Sequence, residues 1–86
     1  MTTIGKSRTE LTQLVEEAIR EQPGCETARV PDVHGLPHVR EGRNWEIPHV
    51  VLGDSLISDI DRAVMTVQRR LGRAFHLIAD QPDPAQ

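Results

Sequence analysis

The run Gly42-Arg43-Asn44-Trp45-Glu46-Ile47-Pro48-His49-Val50-Val51-Leu52 limits the fold of this chain more than any other stretch. It carries the only tryptophan and the clearest two-residue alternation. Side chains of an extended strand alternate between its two faces. Trp45, Ile47, His49 and Val51 therefore share one face, and Asn44, Glu46, Pro48 and Val50 the other. The first face is apolar apart from His49. One tryptophan, one phenylalanine and no tyrosine stand among 86 residues, so the core has to be aliphatic, with the indole as its one large piece. Pro48 lacks an N–H and needs a free edge position. A bare two-stranded ribbon is marginal in water, so this strand requires helices against its apolar face.

Two stretches supply those helices. Ser7-Arg8-Thr9-Glu10 has the form of a capping box. Leu11, Leu14, Val15, Ala18 and Ile19 follow at the i, i+3, i+4, i+7, i+8 spacing of an amphipathic helix. Thr12, Gln13, Glu16, Glu17, Arg20 and Glu21 fall on the opposite face, where Glu16 and Arg20 form a favourable i,i+4 pair. Pro23-Gly24 stops the helix, which is predicted over residues 8–21. The second helix is predicted over 55–73, with Asp54 or Ser55 as its cap. Its apolar stripe is Leu56, Ile57, Ile60, Ala63, Val64, Val67 and Leu71. Asp59 and Asp61 stand near its start and Arg69, Arg70 and Arg73 near its end, an order that complements the helix dipole. Gly72 weakens its last turn, and Phe75-His76-Leu77 is expected to run extended and pack back on the core.

Residues 25–33 are compatible with a weak strand, Ala28 and Val30 on one side, Arg29 and Pro31 on the other. Residues 34–42, punctuated by Gly35, Pro37 and Gly42, read as a long hairpin loop. Residues 1–6 and 80–86 are expected to be flexible tails around a single domain spanning 7–79. The predicted fold is α+β: a small two-layer α-β-β-α sandwich, an antiparallel hairpin covered on one face by two helices. Trp45, Ile47 and Val51 are its floor, and Leu14, Ala18, Ile60, Val64 and Val67 rest on it.

Charge and composition narrow the function. The formal net charge is −3, which disfavours general attraction to nucleic acid and leaves room only for a local basic patch. Arg69, Arg70 and Arg73, joined by Arg40 and Arg43 from the hairpin, are the candidates for gripping phosphates. No exposed aromatic is available to stack bases. His34 and His38 stand at H-x3-H with Cys25 upstream and His49 downstream, side chains of a type that binds zinc. Gly35 and Pro37 exclude the helical register that gives such a spacing meaning, so no metal site and no cofactor is predicted. Cys25 with a histidine base and Asp32 would require a geometry that no local pattern supplies; it reads better as a small buried hydrophobe. The lone cysteine, the lack of an apolar run behind Met1–Lys6 and the lack of a membrane-spanning stretch point to a cytoplasmic location.

Pro23-Gly24-Cys25-Glu26, Gly42-Arg43-Asn44-Trp45 and Val67-Gln68-Arg69-Arg70-Leu71, ahead of Phe75-His76-Leu77, resemble the pattern of a group of small alphaproteobacterial proteins over roughly residues 9–78. The resemblance implies a compact stand-alone domain in a bacterial cytoplasm and no particular activity. Taken with the residues themselves, the leading expectation is a non-catalytic protein-interaction module, able to self-associate because so small a core gains stability by oligomerising. The alternative is a nucleic-acid-binding domain using the five arginines; a Cys/His enzyme or metal protein ranks last.

Overall fold

The computed structural model describes residues 3–40 and 42–78. The chain is α+β. It runs β1 (Ile4–Lys6), α1 (Arg8–Arg20), β2 (His34–Arg40), β3 (Arg43–Glu46), α2 (Ile57–Ala74) and β4 (Phe75–Leu77). The predicted helix–hairpin–helix is present, and a further strand stands at each end of it. Ile4–Lys6, expected as tail, pairs in parallel with β4, Ile4 facing Phe75 and Lys6 facing Leu77. Three residues cut off by a helix cap carry no periodic signal, and their partner lies about seventy residues away. The expected tail at 80–86 lies outside the described residues.

The hairpin is displaced from its predicted register. The stretch read as a loop is β2, paired antiparallel with β3 through His34 to Glu46, Gly35 to Trp45 and Arg40 to Arg43, with an irregularity between Gly35 and Arg40. Gly42 takes a φ of 83° at the turn, a conformation that glycine adopts without a Cβ penalty. β3 itself is short. After Glu46 the chain leaves the ladder, and the Ile47 N–H donates instead to the Gln68 side-chain oxygen of α2 at 2.7 Å. Burial then changes phase. Arg43, Trp45 and Ile47 are buried, Pro48 and His49 are exposed, and Val50 and Leu52 are half-buried. Val51 is therefore exposed rather than part of the floor.

The predicted strand at 25–33 is reduced to one bridge, Arg29 with Val51. Three of its other backbone groups are met by side chains of α1. Thr12 Oγ1 accepts from the Val33 N–H at 3.1 Å, Glu16 Oε1 from the Val30 N–H at 2.8 Å, and the Arg20 Nε donates to the Glu26 carbonyl at 3.0 Å. Buried N–H and C=O groups must be paired somewhere. Here a row of helix side chains replaces a neighbouring strand, and Glu16 and Arg20 bond this segment rather than each other.

β3 holds β4 in a similar way. The Asn44 amide donates to the Leu77 carbonyl at 2.8 Å and accepts from the Leu77 N–H at 2.9 Å. One side chain thus spans the gap between the two ladders. The Trp45 indole N–H adds a bond to the Phe75 carbonyl at 3.1 Å. Trp45 is fully buried, with Leu11, Val15 and Ile19 of α1 and Ile60, Ala63 and Val67 of α2 in the same core.

α1 begins with the predicted capping box, Ser7 and Glu10 bonding reciprocally. α2 starts two residues later than predicted. Leu56 occupies its cap position with no side-chain hydrogen bond, so neither Asp54 nor Ser55 caps it. Gly72 stays inside the helix and is buried. A Cβ there would lie 3.3 Å from the Cβ and Cδ of Arg43, whose stem occupies that space.

Candidate interaction surface

Of the five candidate arginines, Arg43 is set apart by its burial. Arg43 is buried, its stem across Gly72 and its Nε donating to the Trp45 carbonyl at 2.8 Å. An arginine stem is long and apolar enough to pack in this way. It is a structural residue, contrary to the expectation that it faces a phosphate. Arg40 ends β2 opposite Arg43, and its side chain lies outside what the structure describes. Arg69, Arg70 and Arg73 are exposed on the C-terminal half of α2.

The histidines and Cys25 are spread over different elements. His34 and His38 are exposed on β2, and His49 is exposed beyond β3 rather than on an apolar floor. Cys25 is buried below the start of α2, its Sγ within 3.6 Å of the Asp59 carbonyl and 3.8 Å of the Pro23 carbonyl. Burial pushes its pKa up, the carboxylates of Asp59 and Glu26 push it further, and Arg62 partly offsets them. A thiol held protonated is a poor nucleophile and a poor metal ligand. Among the described residues, no three His, Cys, Asp or Glu side chains are placed to share a metal ion. No helix among them is long and apolar enough to cross a membrane.

What the fold does build is a groove. Its volume is about 480 Å³. Ile47, Val50 and Leu52 form one wall, where the chain has left the ladder; Ile57, Val64 and Met65 form the other, on α2. His49 and Asp61 are its polar members. Ile57 and Met65 are 65% and 62% exposed, and Leu56 beside them is 67% exposed. Single exposed apolar residues are ordinary, but several around one concavity mark a contact surface. The helical stripe places Ile57 and Leu56 inside, and the structure turns both outward. Met65 lies off the stripe of Ile60, Ala63, Val64 and Val67, and that offset is the sequence signal for an apolar residue on the solvent side of the helix.

Met65 also borders a second, smaller depression with Arg43, Gln68 and Arg69. The outer face of α2 is thereby a row at four-residue spacing, Ile57, Asp61, Met65 and Arg69, all exposed. Such residues lie one above the other along a helix. No protein-family model, curated protein or solved structure matches this chain.

Proposed function

We propose that this protein is a non-catalytic interaction module that docks apolar side chains of a protein partner in the groove between residues 47–52 and α2. The observation that carries the reading is the concavity itself, bordered by Ile57 and Met65, both more than half exposed. Apolar walls with a few polar groups at the rim match the anatomy of a protein–protein contact, an apolar centre within a polar border. The groove offers one histidine and one carboxylate, His49 and Asp61. Among the described residues, neither has a hydrogen-bonded orienting group of the kind that general acid–base chemistry requires. The alternative reading, phosphate binding, keeps Arg69, Arg70 and Arg73 as its exposed residues and loses Arg43.

Selection from a displayed library of amphipathic helical peptides tests the docking reading. Binders should perturb the NMR signals of Ile47, Val64 and Met65 and lose at least about tenfold in affinity on Ile57→Lys, as expected for an apolar anchor. Binders that map to another surface, or affinity unchanged by Ile57→Lys, would count against it. Retention on a single-stranded oligonucleotide that falls steeply with salt and is lost on Arg69→Ala/Arg70→Ala would favour the phosphate reading instead.

A further inference from the structure

The order of charges along the outer face of α2 is self-complementary. Asp61 and Arg69 stand four residues to either side of Met65 on the same row. Among the described residues neither takes part in an ion pair within its own chain, whereas nearby Asp59 pairs with Arg62 at 3.3 Å. A two-fold axis passing Met65 would set a second α2 antiparallel against the first. Asp61 of each copy would then meet Arg69 of the other, and the two Met65 side chains would meet at the centre. Each charge lies roughly 6 Å along the helix from that centre, within reach of an arginine side chain. Interlocking of four-residue ridges is the commonest way for helices to pack, and an isologous contact of this kind closes on itself.

We infer that the occupant of the α2 face is a second copy of this chain. The dimer is two-fold symmetric, centred on Met65 and closed by two Asp61–Arg69 pairs. This inference rests on the docking reading and names its partner. Three features carry it together: an exposed flexible apolar residue at the centre, opposite charges equidistant from it, and the apolar groove next to Met65 that receives the partner's side chains. A chain of this length buries a small core, and covering this face adds apolar burial that its own residues do not supply. The charge order also selects direction. A parallel pairing would set Asp61 against Asp61 and Arg69 against Arg69.

The test is a charge swap on the full chain, read by sedimentation equilibrium, with circular dichroism to confirm folding. Wild type is expected to dimerise. Asp61→Arg should weaken the dimer at least about tenfold, because it replaces two attractions with two repulsions. The double swap Asp61→Arg/Arg69→Asp should restore it. Met65→Cys, under mild oxidation, should give a disulfide-linked dimer, because a residue on the two-fold axis faces its own copy. Arg70→Cys, off the axis, should not, and buried Cys25 serves as an internal control. A monomeric wild type at millimolar concentration would overturn the dimer; peptide binding in the groove would then still support the docking reading. A dimer indifferent to Asp61→Arg and to Met65→Glu would also overturn it, by placing the contact on another face. If peptides fail to bind as well, the docking reading falls on its own test.

Discussion

Thr12, Glu16 and Arg20 on α1, and Ile57, Asp61, Met65 and Arg69 on α2, are rows of the same kind, each at four-residue spacing and each outside the buried face of its helix. In the folded chain they have opposite fates. Every member of the α1 row is bonded to the 26–33 segment, which lies along the helix and takes its side chains in place of a strand. The α2 row faces outward beside an apolar groove, with no ion pair on Asp61 or Arg69 among the described residues. Polarity therefore does not distinguish a helix face that solvent covers from one that the chain's own backbone covers. The difference comes from what lies next to each row: a segment whose Val30 and Val33 amides bond helix side chains in place of a strand beside α1, and a short strand that turns away beside α2.

The largest test of this contrast acts on the floor common to both helices. Trp45→Ala should cost about 3–5 kcal/mol, the usual cost of truncating a buried aromatic. At roughly 0.05–0.15 kcal/mol per residue, 86 residues hold about 4–13 kcal/mol in all, so the cost is a large part of the total. Chemical denaturation should show a variant close to unfolded in water. A cooperative transition near that of wild type would mean that the two rows are supported independently of the indole.

Glu16→Ala comes next. It leaves the Val30 N–H without its acceptor and should destabilise by about 1–3 kcal/mol, while Glu16→Gln, which keeps a carbonyl oxygen, should recover most of the loss. Stability unchanged in the alanine variant would return Glu16 to the solvent face and erase the difference between the rows.

Cys25 adds a pH dependence. Its pKa is raised by burial and by the nearby carboxylates, so the folded chain holds the thiol proton longer than the unfolded chain does. The stability this contributes is fully present at neutral pH and declines once the unfolded thiol ionises, above roughly pH 8.5. The decline should be absent in Cys25→Ala, whatever that variant loses in packing. Equal slopes between about pH 8 and 10 in both proteins would sink this assignment.

The smallest effect is expected on the open row. Met65→Glu and Asp61→Arg should each change the stability of the monomeric chain by less than about 0.5 kcal/mol, as for exposed positions without partners. The measurement belongs at a concentration where any dimer has dissociated. A loss above about 1 kcal/mol there would show that the α2 row supports the monomer fold as much as the α1 row does.

Much of the fold is legible along the chain because it is local. A capping box closes over three residues, and an apolar stripe at helical spacing fixes which face of a helix is covered. Ser7 to Ile19 and Ile60 to Val67 therefore read correctly, and Trp45 takes the centre because no other side chain of its size competes for the core. The alternation begun at Trp45 holds only to Ile47. Beyond Pro48 the pattern changes phase, and His49, expected on the apolar face, is exposed. Of the candidate site residues, Arg69, Arg70 and Arg73 emerge exposed, whereas Arg43 disappears against Gly72, a glycine twenty-nine positions further along the sequence.

The sequence by itself determined the two helices, their buried faces and the central place of the tryptophan, because these follow from spacings of three and four residues and from side-chain size. Tertiary structure alone decided that Ile4–Lys6 pairs with Phe75–Leu77, that α1 side chains stand in for a strand along residues 26–33, and that the outer row of α2 is left open beside a groove. Each depends on which backbone amides find partners from distant parts of the chain, and no local periodicity records that.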